Sequence, residues 1–367
     1  MQVLDRALVV GPYDWHEEAT PRAEYAARLE AARQAMARRG ANALLVYGDT
    51  FDNGPLAWLA NFTPKLGQAV AVFPAAGEAV VFFSGGGLMV ESTRRLTWIG
   101  EVRAIKNLEK DLAGVLRGAA GAGDLALAVW ESGRMTEATR AAIARALPAG
   151  GRRVEMQAEL EALRRTKSAR EVATIRQTCA ALAAAMEALR SAQALGAGRR
   201  TAALAAERAA YAYGAQDARV LVSARPGGPA LALDGTEDAA CDPLLASVAV
   251  RDGGYWAEAR VTATGSENAL AGQARAALGA VLRAARPGAT AAALERVADA
   301  ALGPAKRNRA LAVFHGVGLS LAEAPGEMLA AGDVCSFQVE VQGEAGARAA
   351  SSAMALVSEG GVEVLWE

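Results

Sequence analysis

Histidine and cysteine are scarce in this chain of 367 residues, which contains two histidines and three cysteines. The cysteines share no CxxC spacing and are odd in number, so a disulfide framework is not expected; they are Cys179, Cys241 and Cys335. Reduced thiols of this kind are typical of a cytoplasmic protein. No apolar run approaches the roughly 18 residues needed to cross a bilayer, which argues against a membrane protein.

An excess of charge of either sign is also lacking. The chain has 39 basic and 40 acidic side chains, a net charge of −1, and no basic stripe or acidic tail. Nucleic acid and anionic membrane surfaces are therefore not expected as partners. Residues 1–15 contain charges and no apolar core, so we expect no signal peptide there.

The length favours two domains, and the first half of the chain shows strands alternating with helices. This pattern predicts a compact α/β domain over residues 1–157. The predicted elements are a helix over 21–40, strands over 43–47, 68–73, 78–83 and 125–130, and a helix over 136–147.

The second half, residues 158–367, has its helices in blocks and strands with antiparallel character, so the chain as a whole is predicted to be α+β. One continuous helical stretch is expected from Met156 through Met186, ending at Gly196–Gly198. Further helices are predicted over 202–213, 269–285 and 291–302, and strands over 220–223, 246–250, 255–263, 334–341, 352–357 and 362–366.

Six short motifs follow one another in the second half, in an order that resembles the creatinase/aminopeptidase P/prolidase superfamily. They are Leu163–Ser168 with Glu171, Gly196–Gly198, Gly254-Tyr255 with Glu258, Arg286–Thr290, Phe314–Leu319 with Glu323–Pro325, and Gly332–Val334. In the first half, Leu59–Phe62 is similar to an element of the family's N-terminal domain. The resemblance implies a creatinase-like α/β domain followed by a pita-bread domain. It also implies a homodimer in which the segment 58–65 of the partner completes the pocket.

The same resemblance implies two metal ions held by four carboxylates and one histidine. Here only Glu258, one methylene longer than the family's Asp, and His315 stand at ligand positions, while Ser247, Gln338 and Ser352 occupy the other three. Serine and glutamine oxygens bring no negative charge to offset the repulsion between two metal ions. We therefore expect no metal and no other cofactor. A single ion on His315, Glu258 and Glu340 is the one metal arrangement left open.

Residues two apart on a strand share a face, so the fold implied by the resemblance would collect several polar side chains in one cavity. His315, Glu258 and Glu340 are the candidate catalytic residues, because an imidazole with a pKa near 6.5 suits proton transfer. Arg260, Gln338, Ser247, Ser352 and Trp58 are the candidate substrate-binding residues. The structural alternatives are an ion pair of Glu258 with Arg260 and a solvated Glu340. The other histidine, His16, is read as a solvated or core residue.

Three functions are compatible with this pattern. The first is a metal-independent hydrolase or lyase, similar to creatinase, that cleaves a C–N or similar bond in a small polar metabolite. The second is a catalytically silent protein that binds a peptide or a protein in the cleft that serves as the active site in the family. The third, a residual Xaa-Pro aminopeptidase, is disfavoured by the missing ligands.

Overall fold

The chain divides into two compact units, residues 1–164 and 165–367. The computed structural model describes residues 15, 17–121, 123–130, 135–233, 238–303, 306–324 and 326–367. His16 and Pro325 lie outside the described residues. The predicted division after residue 157 coincides with the start of the helix Gln157–Arg165, whereas the units divide at the end of this helix.

The first unit alternates helices and short strands, as its sequence pattern predicts. Its helices are α1 (Arg22–Arg39), α2 (Gly54–Ala60), α3 (Val90–Arg94), α4 (Leu108–Ala120), α5 (Glu137–Ala146) and α6 (Gln157–Arg165). Its strands are β1 (Ala43–Asp49), β2 (Gln68–Pro74), β3 (Val80–Phe83), β4 (Glu101–Ala104), β5 (Ala126–Trp130) and β6 (Arg152–Val154).

These strands form one mixed sheet in the order β4-β3-β2-β1-β5-β6. The two strands predicted over 68–73 and 78–83 form a hairpin, because β2 and β3 pair antiparallel, and β1 also runs antiparallel to β2. The outer strands β4, β5 and β6 are added in parallel. Apolar side chains of the sheet and of α4 and α5 form a shared core, including Leu45, Val72, Leu112, Leu127 and Ile143, and burial of this surface stabilises the unit.

The second unit contains longer helices and longer strands. Its helices are α7 (Ala169–Ala194), α8 (Arg199–Tyr213), α9 (Ala269–Ala284) and α10 (Ala291–Leu302). Its strands are β7 (Asp217–Ser223), β8 (Ala230–Leu231), β9 (Leu244–Asp252), β10 (Tyr255–Ala263), β11 (Lys306–Arg307), β12 (Phe314–Gly316), β13 (Val334–Gln342), β14 (Arg348–Ser358) and β15 (Gly361–Trp366). Within the described ranges, no helix is long and apolar enough to cross a membrane.

Two antiparallel sheets form the second unit. One has the order β10-β9-β7-β8 and the other the order β11-β13-β14-β15, with β12 added to β13. Helices α9 and α10 cover the second sheet and build a core with it, in which Leu278, Val281, Leu294, Phe337 and Val339 are buried. The prediction of an α+β chain with antiparallel strands in this half is confirmed.

Side-chain hydroxyls join the two sheets where β10 meets β14. The backbone N–H of Arg260 donates to Ser352 Oγ at 2.7 Å, and the backbone N–H of Ala350 donates to Thr262 Oγ1 at 2.9 Å. Unpaired backbone donors at a buried strand edge are costly, and these two hydroxyls satisfy them. We refer to this pair of contacts as the hydroxyl seam.

The helical stretch predicted from Met156 through Met186 is two helices rather than one. α6 ends at Arg165 and α7 begins at Ala169 after a full capping box, in which Ser168 Oγ accepts from the Glu171 N–H and Glu171 accepts from the Ser168 N–H. The sequence Ser-x-x-Glu is the known signature of such a helix start. The intervening Lys167 instead donates its backbone N–H to the Gly332 carbonyl at 2.9 Å.

Removal of the cap should weaken the second unit measurably. We expect Ser168→Ala to lower the free energy of unfolding by about 1 kcal/mol, because one backbone donor of α7 loses its acceptor. Ser191→Ala is the matched control on the same helix, since Ser191 Oγ contacts only the exposed Glu187. Urea titration of both variants tests this, and equal losses would contradict it.

Candidate functional site

His315 and Glu258 are brought together from different sheets of the second unit. His315 lies on β12 and Glu258 on β10, and His315 Nε2 is 2.8 Å from Glu258 Oε1. His315 Nδ1 is 3.0 Å from the Gly316 carbonyl oxygen. Each of the two side chains is 18% exposed, so the pair is largely buried yet reachable.

This contact is a charged pair. Burial alone would lower the pKa of His315, but its hydrogen bond to Glu258 and the carboxylate's charge outweigh burial and raise the pKa above the ordinary 6.5. Burial likewise would raise the pKa of Glu258, but the hydrogen bond and charge of His315 hold it below the ordinary 4.5. Both ring nitrogens face acceptors, and only an imidazolium donates from both. The geometry therefore favours the ionised pair, an imidazolium and a carboxylate.

The loop after His315 is tied to its surroundings at Gly318. The Trp256 backbone N–H donates to the Gly318 carbonyl oxygen at 2.8 Å. A Cβ at Gly318 would lie 2.5 Å from Glu323 Oε1, so only glycine fits there. Glu323 is paired with Lys167 Nζ at 2.7 Å, both side chains being almost fully buried. The glycine therefore makes room for a structural ion pair behind the loop.

Glu340, predicted as catalytic, is the centre of a closed network. Its Oε2 accepts from Arg260 Nε at 2.8 Å, and its Oε1 accepts from Asn308 Nδ2 at 2.8 Å and from Arg348 Nη1 at 3.1 Å. The Glu340 side chain is 0% exposed. Both oxygens are engaged and shielded from solvent, so this geometry gives Glu340 the role of a counter-ion for the two arginines. Arg260 pairs with Glu340, and not with Glu258 as the structural alternative held.

The remaining polar candidates lie on three strands, β9, β13 and β14. Ser247 is the register partner of Arg260 on β9, and Gln338 is the register partner of Ser352 on β14. Ser352 Oγ accepts a hydrogen bond from the backbone N–H of Arg260 in the hydroxyl seam. Ser247 and Gln338 are half-buried.

Ser336 is a site residue that the sequence did not single out as functional. It is the register partner of His315 on β13, it is fully buried, and its Oγ has no hydrogen-bond partner within the part of the chain that the structure describes. The Ser336 hydroxyl also contributes to the lowered pKa of the nearby Glu258 carboxylate. Its place two residues before Gln338 on the same strand face is the signal that identifies it.

Trp58, predicted to contact substrate, belongs to the core of the first unit. It is 4% exposed and packs edge-on against Trp130, with ring centroids 5.8 Å apart. The guanidinium of Arg28 lies 5.4 Å from its ring centroid. The expectation is corrected, because a side chain buried among its own unit's residues presents no surface to a substrate.

The side chains at the ligand positions do not fit the two metal ions that the resemblance to the superfamily implies. No three His, Cys, Asp or Glu side chains are grouped for metal binding among the residues that the structure describes. His315 Nε2 is occupied by Glu258, and both oxygens of Glu340 are occupied by other partners. The single-ion arrangement on His315, Glu258 and Glu340 would require each of these contacts to break.

The sequence matches no model of a known protein family and no curated protein. Solved structures do resemble it. A prolidase from Pyrococcus horikoshii OT3 matches with a TM-score of 0.75 at 17% identity, over 93% of this chain and 98% of that one. The dipeptidase PepE from Mycobacterium ulcerans matches with a TM-score of 0.73 at 22% identity, over 94% and 96%. An Escherichia coli aminopeptidase P variant matches with a TM-score of 0.72 at 15% identity, over 94% of each chain.

These similarities define the chain as a protein with the two-domain pita-bread fold. The matches cover nearly the whole of each chain, so both units take part in the likeness. The fold expected from the six motifs is thereby confirmed. At these identities the likeness concerns the fold, while the chemistry has to be argued from the side chains present.

The Glu340 network supports a first prediction at this site. We expect Glu340→Gln to lower the free energy of unfolding by about 3 kcal/mol, because two guanidiniums lose a buried counter-ion. Arg309→Gln is the control, since Arg309 forms an exposed ion pair with Asp299 that is worth under about 1 kcal/mol. Chemical denaturation measures both, and a loss below 1 kcal/mol for Glu340→Gln would count against the counter-ion role.

The charged pair supports a second prediction, on pH. The stabilisation from His315 is complete below pH 6.5 and is lost as the pH rises through its raised pKa. The stabilisation from Glu258 is present above pH 4.5 and is lost as the pH falls through its lowered pKa. The free energy of unfolding of the wild type should therefore exceed that of His315→Asn by the largest amount, roughly 2 kcal/mol, between pH 4.5 and pH 6.5. Urea titrations from pH 4 to 9 measure this difference, and a difference independent of pH would disprove the charged pair.

Proposed function

We propose that this protein is a metal-independent hydrolase that cleaves a C–N or similar bond in a small polar molecule. The observation that carries the proposal is the His315–Glu258 pair, an imidazolium and a carboxylate in contact at 2.8 Å, in a place where the metal ligands are incomplete. A positioned acid and base together can supply what a metal-bound hydroxide otherwise supplies.

The proton balance of such a hydrolysis closes within the pair. His315 donates its Nε2 proton to the leaving nitrogen as the C–N bond breaks, so its contact with Glu258 opens during this step. Glu258 takes a proton from the water whose oxygen forms the new bond to carbon. The proton then passes from Glu258 to His315 along their hydrogen bond, which restores the imidazolium and the carboxylate. Elimination without water, a lyase reaction, would use the same two groups.

In this proposal, uncharged side chains orient the substrate. Because Glu340 is enclosed by Arg260, Asn308 and Arg348, it is not available to a cationic substrate. Gln338 and Ser247 are half-buried on the strands beside the pair, and their amide and hydroxyl groups both donate and accept. This favours a substrate with several hydrogen-bonding groups.

Activity tests this function once a substrate is found. A thermal-shift screen of amidines, cyclic amino acids and dipeptides identifies ligands, since a ligand at 100 times its Kd adds about 2.7 kcal/mol of stability. We expect His315→Gln and Glu258→Gln each to reduce kcat by about 10²- to 10⁴-fold. Glu344→Gln, a change of an exposed carboxylate, should leave kcat unchanged. Full activity of His315→Gln with an unchanged melting temperature would overturn the proposal.

A residual Xaa-Pro peptidase is the second candidate, favoured by the similarity in fold to a prolidase and an aminopeptidase P. Hydrolysis of an Xaa-Pro dipeptide that requires added Mn²⁺ and is abolished by a chelator would support this alternative. The metal-independent proposal expects no effect of either reagent. Ligand binding without turnover would instead indicate the silent binding protein.

We further propose a homodimer, as the resemblance in fold suggests. Leu66, which directly follows the segment 58–65, is 42% exposed, and Leu88 is 99% exposed on the same unit. Apolar side chains in such positions are favourable contacts for a second copy. Light scattering at micromolar concentration should report a dimer that Leu88→Glu weakens, and a monomeric wild type would refute the proposal.

A further inference from the structure

A cavity of about 410 Å³ lies in the second unit, away from the His315–Glu258 pair. It is open to solvent and lined by residues of α7, α9, β10 and β14, and neither His315 nor Glu258 lines it. Its volume is within the range of small-molecule sites. Val261 and Ala263 line it, and they alternate along β10 with Glu258 and Arg260. Thr262 and Thr264 line it too, so the cavity lies at the end of β10, beyond Glu258 and Arg260 along the strand.

Two guanidiniums from different helices line this cavity. Arg190 is near the end of α7 and Arg275 is in α9. Both are exposed, and neither forms a salt bridge or hydrogen bond within the described part of the chain. Guanidiniums present planar, paired N–H donors that match the oxygens of carboxylate and phosphate groups.

A buried amide lies beside the two arginines. Gln193 is only 8% exposed and lines the cavity, yet its side chain has no hydrogen-bond partner among the described residues. Its amide can both donate to and accept from a ligand in the cavity. The half-buried Ser351 adds a hydroxyl to the same lining.

We propose that this cavity is a binding site for a small organic anion. Its carboxylate or phosphate oxygens bind Arg190 and Arg275, and its polar uncharged part binds the Gln193 amide. Glu367 is the acidic side chain in the lining and opposes the anion. The site is separate from the proposed catalytic pair, so it stands or fails independently of the hydrolase function.

The cavity shares Thr262, Ala350 and Ser352 with the hydroxyl seam, and this provides a structural readout. Ser352 lines the cavity, and its Oγ accepts the backbone N–H of Arg260. A ligand seated in the cavity covers this contact from one side. Hydrogen exchange of the segment around Arg260 should therefore slow when the anion binds.

Isothermal titration calorimetry of the full chain with citrate and with inorganic phosphate at low ionic strength tests the proposal. We expect saturable one-site binding that weakens as salt is added, and a preference between the two probes identifies the anion type. Arg190→Gln and Arg275→Gln should each raise Kd roughly tenfold, because each removes a charged donor. Glu367→Gln should lower Kd, because it removes the opposing charge.

Two controls separate this site from surface charge and from the proposed catalytic pair. Arg283→Gln removes an exposed arginine from the same helix that does not line the cavity, and Kd should stay unchanged. His315→Gln should also leave Kd unchanged. Absence of binding by either probe at millimolar concentration, or an equal effect of Arg283→Gln and Arg275→Gln, would overturn the proposal.

Discussion

The ion pair between Arg260 and Glu340 is the interaction on which the geometry of the second unit depends. Arg260 belongs to one sheet and Glu340 to the other, and the Arg260 backbone also donates to Ser352 of the second sheet. One residue therefore holds the two sheets together through both its side chain and its backbone. Glu258 lies two residues before Arg260 on the same strand face, so its distance from His315 is set by the same contact.

Charge balance explains how the unit remains stable with so many buried ionisable groups. Glu340 is compensated by two arginines, Lys167 by Glu323, and His315 by Glu258. Each pair offsets the cost of removing its charges from water, which an unpaired charge would incur in full. The first two pairs have almost no access to solvent on their carboxylates. The His315–Glu258 pair is more exposed, and this is the access that its proposed catalytic role requires.

Sequence patterns predicted most of the fold, and the reasons are local. The alternation in Tyr255–Ala263 and the periodicity in Ala291–Leu302 record which face of each element is buried, so both were placed with the right bounds. The break before α7 was missed although its Ser-x-x-Glu signature is present, because helical periodicity on both sides hid it. The short β4 and β6 were also missed, since three or four residues carry too little pattern.

The candidate site was predicted in part. What was predicted came from the resemblance in fold rather than from local sequence patterns. The proximity of His315 and Glu258 followed from the resemblance in fold, and the structure brings the two together. The partners of Glu340 were not predictable, because Arg348 and Asn308 reach it through tertiary packing that leaves no trace in spacing. Trp58 was misassigned because an aromatic residue near a loop looks the same in sequence whether it faces solvent or a core.

The hydroxyl seam limits which mutations the protein can accumulate. Where two strands meet through a backbone ladder, almost any side chain is compatible with the hydrogen bonds, because the side chains take no part in them. At the seam the acceptors are Ser352 Oγ and Thr262 Oγ1, so the backbone pairing depends on side-chain identity. Exchange between serine and threonine would preserve it, whereas alanine or valine would leave a buried N–H unsatisfied. Substitution is therefore more constrained at these two hydroxyls than at Gln338, whose side chain forms no hydrogen bond among the described residues.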